Sequence, residues 1–212
     1  MKIIGYGEDG LTLWALQWKL GHILNQLKDQ SDLQECQVFY RPSFGRRGGP
    51  GSSQFGEFDF LLLSRDHLYL GESKWKQSSE DITEGVITLR GEQAVRNLVF
   101  RAYVEEWFDK GDWAGVPSRL RMLSPSIDKK IPSPKSLLAG NLKSILTMIK
   151  THFGNKKPII RDVLLYFFHS KEMQKRPIPN KVQVLKGNRI DFTVMALDYS
   201  GAVIEDTHYF KL

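Results

Sequence analysis

A short hairpin pattern constrains the fold of this chain more than any other feature. The segment GEFDFLLLSRDHLYLGESKWK, residues 56–76, contains two apolar, aromatic-rich runs at 58–63 and 68–75. Between them lies a polar turn centred on Arg65 and Asp66. Short apolar runs on either side of a turn are typical of two paired antiparallel strands. The sequence therefore predicts a β-hairpin near the middle of the fold.

The register of this hairpin predicts a cluster of charged side chains. A symmetric turn places Leu61 opposite Leu70 and Asp59 opposite Glu72. Opposed residues point to the same face with Cβ atoms about 4.5–5.5 Å apart, and strand alternation adds Lys74 to that face. Two carboxylates at this distance repel each other, whereas a divalent cation between them would remove the repulsion, because hard oxygen ligands suit Mg²⁺. These residues therefore indicate a metal-binding site.

Length, charge and cysteine content narrow the class of protein. A chain of 212 residues without an evident linker favours one domain, spanning 1–212. Its net charge of +6 favours an anionic partner such as nucleic acid. The single cysteine, Cys36, excludes an internal disulfide, which fits a reducing compartment. Because no apolar run could span a bilayer and no secretory segment is seen, we expect a cytoplasmic protein without a membrane partner.

Hydrophobic periodicity predicts helices and strands in mixed order. Helical spacing occurs at 11–27, with Asp9 as its N-cap, at 88–108, and at 135–153, ended by Gly154. Strand patterns occur at 35–40, in the hairpin, at 158–169, and in a closing hairpin of 190–197 and 202–211. The Pro- and Ser-rich residues 111–135 are expected to be irregular. This order predicts an α/β fold with a central mixed β-sheet flanked by helices.

The hairpin motif resembles that of a known enzyme superfamily. Asp59, twelve intervening residues and the tripeptide Glu72-Ser73-Lys74 are similar to the signature of the PD-(D/E)xK nucleases, which have the restriction-endonuclease-like fold. In that family a helix precedes the strands, the aspartate starts one strand and the tripeptide lies on the next. The same order holds here over about residues 5–110. Phe58 stands where the family name has proline.

The resemblance implies metal-dependent hydrolysis of phosphodiester bonds in DNA by an endonuclease, with Mg²⁺ as cofactor and Mn²⁺ as a substitute. Asp59 and Glu72 would bind the metal, and Lys74 would orient the attacking water or stabilise developing charge. Many members add an acidic residue from the first helix, and Glu8 occupies that place as a further catalytic and metal-binding residue. Some carry a glutamine on the next helix, which Gln93 matches. A two-fold homodimer would be the simplest way to cut both strands of a duplex.

Polar residues on both sides of the hairpin are predicted to contact the nucleic acid. Three arginines lie in the Gly/Pro/Ser-rich loop 41–56 that leads into the hairpin, where they could neutralise phosphates. A lysine follows the hairpin, and two further residues share a polar face of the helix at 88–108. The predicted contacts are Arg41, Arg46, Arg47, Lys76, Gln93 and Arg96. A solvated loop and a solvated helix face are the alternative interpretations.

Two other functions fit parts of the sequence. Gly5-x-Gly7-x-x-Gly10 matches the fingerprint of a dinucleotide-binding oxidoreductase, although Glu8 and Asp9 would place negative charge where the pyrophosphate should lie. The other is a non-catalytic nucleic-acid-binding or assembly module on the same fold. The intact carboxylates and lysine of the hairpin count against it, because a purely structural hairpin has no need of them.

Overall fold

A five-stranded mixed sheet forms the centre of the protein in the computed structural model. The structure describes residues 3–43, 56–75, 82–123, 135–171, 177–184, 190–205 and 207–212. In chain order the strands are β1 (Ile4–Gly5), β2 (Gln37–Tyr40), β3 (Phe60–Leu63), β4 (His67–Trp75), β5 (Ile82–Thr83), β6 (Val86–Leu89), β7 (Ile159–Phe168), β8 (Lys181–Val184), β9 (Phe192–Asp198) and β10 (Phe210–Lys211). The central order is β2-β3-β4-β7-β9.

The sheet combines an antiparallel meander with a parallel half. Strands β2, β3 and β4 pair antiparallel, whereas β4 pairs parallel with β7 and β7 parallel with β9. Two smaller sheets complete the fold, β1 with β10 and β5-β6-β8. This confirms an α/β architecture with a central mixed sheet.

Helices cover both faces of this sheet. They are α1 (Gly7–Trp18), α2 (Leu20–Gln26), α3 (Gly91–Lys110), α4 (Val116–Leu123) and α5 (Leu137–Phe153). One apolar cluster joins α1 and α2 to the residues of one sheet face, and a second joins α3, α4 and α5 to those of the other. The small sheet at β6 packs on the second face through Ile87, against Leu164 and Tyr166 of β7. Strand β4 is therefore buried on both sides.

The hairpin forms with the predicted register, but its ladder ends one pair early. Leu61 pairs with Leu70, as predicted, and the last pair is Phe60 with Gly71. Asp59 lies just before β3, and its carboxylate accepts a hydrogen bond from the backbone N–H of Ser73 at 2.7 Å. The predicted direct opposition of Asp59 and Glu72 is therefore not part of the ladder, and the aspartate carboxylate instead binds the backbone of β4 at Ser73.

Two predicted helices have different limits. The first begins at Gly7 with Tyr6 as its N-cap, so Asp9 lies in the first turn and is not the cap. It is interrupted at Lys19, whose φ of −120° is not helical, and continues as α2. The helix predicted from residue 88 begins at Gly91, because 86–89 form strand β6. Helix α5 ends as predicted before Gly154, which has a φ of 59°.

Two other segments differ from the sequence prediction. Residues 116–123, expected to be irregular, form α4, while 124–134 lie outside the described residues. The predicted closing hairpin is wrong, since β10 pairs with β1 instead. Packing of Phe210 explains why β10 pairs with β1. The Phe210 ring lies so close to two glycines that a Cβ on Gly5 would be 2.7 Å from it and a Cβ on Gly10 would be 2.9 Å from it. No helix in the described part of the chain combines the length and apolar character needed to cross a membrane.

Candidate active site

Four structural elements meet at the carboxyl end of β4. This end of the strand carries Glu72 and Lys74, and Asp59 lies at the neighbouring entry to β3. The first turn of α1 contributes Glu8, and the first two turns of α3 contribute Gln93 and Arg96. The predicted catalytic residues thus come from separate parts of the chain and lie at this end of the strand.

Glu8 joins the start of α1 to the end of β4. One carboxylate oxygen lies 3.2 Å from Lys74 Nζ, and the other accepts a hydrogen bond from the backbone N–H of Trp75 at 3.0 Å. The Lys74 side chain is almost fully buried. Because a buried ammonium needs a nearby anion, this pair fixes the lysine beside the carboxylates of the site.

Two of the carboxylates carry a desolvation penalty. Burial raises the pKa of Asp59, although the charges of Lys74 and Arg96 and the Ser73 N–H act in the opposite direction. Burial also raises the pKa of Glu8, which Lys74 lowers and the charge of Asp59 raises further. A raised pKa means that the charged form is less stable here than in water. Additional positive charge at this position would therefore be favourable.

Glu72 is held by two residues of α3. It is 2% exposed, forms an ion pair with the Arg96 guanidinium and accepts a hydrogen bond from Gln93 Nε2 at 3.0 Å. Arg96 also donates to the backbone carbonyl of Glu57, and its guanidinium lies 4.5 Å from the centre of the Phe58 ring. Burial lowers the pKa of Arg96 to about 10, against the charges of nearby carboxylates.

The side chains offer suitable donors for a hard cation, but they are arranged as ion pairs. Within the described ranges, no three His, Cys, Asp or Glu side chains are grouped so as to hold a metal ion. Glu72 faces Arg96, and Glu8 faces Lys74. The carboxylate oxygens of Asp59, Glu72 and Glu8 are nevertheless of the ligand type that Mg²⁺ prefers. Burial penalises the charged forms of Asp59 and Glu8. Metal binding by Asp59, Glu72 and Glu8 therefore stays a prediction, and it would require these three carboxylates to come closer together and Glu72 to exchange its guanidinium partner.

The residues predicted to bind nucleic acid have different positions. Arg41 is about one-third exposed and pairs with Asp9 and with Glu57, the latter at 2.9 Å. Gln93 and Arg96 face Glu72 inside the site. The others, Arg46, Arg47 and Lys76, lie outside the described residues. A direct nucleic-acid contact stays a prediction for all six, and for Arg96 it would require release of its buried partner.

The polar side of α3 faces the sheet, so its interpretation as a solvated surface is wrong. Asn97 is fully buried and donates to Asp162 Oδ1 at 2.7 Å, and Arg101 pairs with the same carboxylate. Asp162 lies on β7 beside Leu70. The sequence contained a signal for this contact, a charge at the start of the buried run VLLYFF. This pair fixes α3 on the sheet and thereby positions Gln93 and Arg96.

The dinucleotide-binding alternative does not have the required geometry. Strand β1, which leads into the glycine motif, pairs with β10 in a two-stranded sheet outside the central one. The fingerprint instead needs a central strand of a parallel sheet before the helix. The start of α1 also carries the Glu8 carboxylate, directed at Lys74 and Trp75. This position therefore favours cations over a pyrophosphate.

Comparison with known proteins gave no family model, no curated protein and no solved structure that matches this chain.

Proposed function

We propose that this protein is a metal-dependent nuclease that hydrolyses phosphodiester bonds in DNA, as an endonuclease. The observation that supports the proposal most strongly is the meeting of Glu8, Asp59, Glu72 and Lys74 at one end of β4. These residues lie up to 66 positions apart in sequence, and a hairpin required only for structure would not bury so many charged groups.

The proposed roles follow from the chemistry of each side chain. Asp59, Glu72 and Glu8 would hold Mg²⁺, which when bound supplies an acidic water and neutralises phosphate charge. Lys74, held by Glu8, places a fixed positive charge where negative charge develops on the phosphate. Gln93 orients the Glu72 carboxylate through its hydrogen bond of 3.0 Å. The net charge of +6 favours binding of the polyanionic substrate.

Cleavage of defined DNA substrates tests this proposal directly. We expect supercoiled plasmid to be nicked or linearised in Mg²⁺ or Mn²⁺ and to stay intact in EDTA. A circular substrate is required because it has no ends, so that its cleavage identifies an endonuclease. Linear duplex and single-stranded circles in parallel reactions determine which form of DNA is preferred.

The second candidate is a non-catalytic nucleic-acid-binding module on the same fold. The specific observation in its favour is the Arg96–Glu72 ion pair, which neutralises a predicted metal ligand from within the protein. If the protein binds DNA but leaves every substrate intact in both metals, this alternative replaces the nuclease proposal.

Removal of Arg96 should test whether a metal ion reaches Glu72. Arg96→Gln leaves the buried carboxylate without its cation, so the free energy of unfolding in EDTA should fall by about 3–5 kcal/mol. A metal bound by Glu72 would provide the missing charge, so Mg²⁺ should recover a large part of this loss in chemical denaturation. An equal loss with and without Mg²⁺ would show that the ion does not bind at Glu72.

Arg101→Gln is the matched control for this measurement. It removes an arginine from the same helix and breaks a similar buried pair, with Asp162. Because Asp162 lies outside the proposed metal site, Arg101→Gln should destabilise the protein to the same extent in EDTA and in Mg²⁺. Recovery of both variants would instead indicate a general effect of the salt.

A further inference from the structure

Two exposed tyrosines stand beside the candidate active site. The ring of Tyr6 lies 5.4 Å from that of Tyr209, at an interplanar angle of 45°. The two residues are more than half exposed, at 57% and 51%. We call this pair the tyrosine surface. Large aromatic groups are costly to expose to water, so a paired exposure next to a proposed catalytic centre suggests a ligand.

The register of the small sheet fixes both tyrosines. Gly5 pairs with Phe210 in the β1–β10 ladder, so the next residues outward, Tyr6 and Tyr209, oppose each other. Phe210 is buried in the core and packs on Gly5. Because strand side chains alternate between faces, the core position of Phe210 requires Tyr209 and Lys211 to point outward. The tyrosine surface is thus a consequence of the fold.

The tyrosine surface is also connected to the proposed catalytic residues. The Tyr6 ring packs edge-on against Trp75, with ring centres 5.9 Å apart. Trp75 donates from its indole N–H to the Tyr199 hydroxyl at 3.0 Å, and its backbone N–H donates to Glu8. Tyr6 is itself the N-cap of the helix that carries Glu8. A ligand on the tyrosines would therefore lie near Glu8.

We infer that the tyrosine surface stacks on unpaired nucleobases, so that the preferred substrate contains a single-stranded segment next to the cleaved bond. The inference rests on the proposed function for the identity of the ligand. Aromatic side chains bind bases of any sequence through their π-faces. The exposed Lys211 of β10 adds a cation that could contact the phosphate backbone of the nucleic acid. Bases inside a duplex are stacked on each other and do not offer this contact.

Binding measured without metal tests the inference separately from catalysis. Fluorescence anisotropy in EDTA would compare a labelled thymidine oligonucleotide with a hairpin duplex of equal phosphate number. The double variant Tyr6→Ala/Tyr209→Ala should bind the single strand about ten-fold or more weakly than the unsubstituted protein, and the duplex less than about two-fold more weakly. The expected result is therefore a loss of affinity for the single-stranded oligonucleotide and not for the duplex.

Two control variants separate stacking from other causes. Tyr6→Phe/Tyr209→Phe keeps both aromatic faces and should retain the affinity for the single strand. Leu137→Ala removes another exposed large apolar side chain, at the start of α5, and should change neither affinity. An equal loss on both ligands, or unchanged binding of the alanine variant with a normal unfolding midpoint, would overturn the inference.

Two other outcomes have distinct meanings. If the tyrosines instead mediate association of two chains, sedimentation velocity would show a dimer that the alanine variant dissociates, and this would overturn the inference. If the unsubstituted protein cuts no DNA in Mg²⁺ but the single-strand preference in EDTA depends on both tyrosines, the proposed nuclease fails and the stacking surface stands.

Discussion

Cleavage of DNA is expected to fall at least about 10²-fold when Asp59 is replaced by asparagine, while the metal-free protein becomes more stable at neutral pH. Loss of an outer partner of a metal ligand commonly costs 10–100-fold in activity or metal affinity, and Asp59 is proposed as a ligand itself. The asparagine oxygen can still accept the hydrogen bond from Ser73 N–H. The fold should therefore be retained.

The gain in stability follows from the sign of the pKa shift. Burial raises the pKa of Asp59 above its ordinary value of 3.8, so ionisation penalises the folded state as the pH rises through that value. Asparagine removes the penalty. The difference in free energy of unfolding between Asp59→Asn and the unsubstituted protein should be largest near neutral pH and should vanish below about pH 4, measured by urea denaturation in EDTA.

Asp29→Asn is the control, because the pKa of Asp29 is shifted in the opposite direction and the substitution should change stability with the opposite sign. Burial raises the pKa of Asp29, but hydrogen bonds from Ser31, Ser64 and Tyr69 outweigh this effect and hold the pKa well below its usual range. Its charged form therefore stabilises the fold above the ordinary pKa, and the contribution is lost as the pH falls. Asp29→Asn should lower stability at neutral pH and leave the cleavage rate per folded molecule unchanged. If Asp59→Asn behaves in the same way, the active-site interpretation of Asp59 is wrong.

The second large effect is expected at Gly71. Its cross-strand partner Phe60 places its ring directly over the glycine, so a Cβ at this position would overlap the ring. Both residues are buried at the last pair of the β3–β4 ladder, and Gly71 is also paired with Val163 of β7 on its other side. Gly71→Ala should therefore lower the free energy of unfolding by about 3 kcal/mol and the thermal midpoint by about 10 °C.

Two comparisons test the cause of this loss. Gly140→Ala adds the same methyl group within helix α5, where a Cβ would meet no atom within 4 Å, and should stabilise the protein by about 0.5–1 kcal/mol. In the Gly71→Ala background, Phe60→Leu removes the ring and should recover part of the lost stability. Strictly additive effects of the two substitutions would exclude a clash between them.

Local sequence patterns predicted much of the central sheet. The polar turn at Arg65 and Asp66 determined the pairing of Leu61 with Leu70, because a symmetric turn of fixed length sets which residues of the two strands oppose each other. The run VLLYFF indicated a strand buried on two sides, and it lies between β4 and β9. In both cases neighbouring residues alone contained the information.

The sequence predictions that were wrong concern contacts between segments that lie far apart in the chain. The polar side of α3 resembles a solvated surface in sequence, but it meets Asp162, which lies 65 positions from Asn97. The β1–β10 pairing likewise depends on the packing of Phe210 against Gly5. Periodicity cannot identify the partner of a polar or apolar face, because the partner lies in another part of the chain.

The sequence by itself determined that a hairpin carries Asp59, Glu72 and Lys74, since strand period and turn position fix their order and spacing. Only the tertiary structure decided the partners of these charges: Glu8 for Lys74, and Arg96 with Gln93 for Glu72. The physical reason is that a buried charge must be compensated by whatever group the packed fold brings to it. That group is set by the docking of α1 and α3 on the sheet.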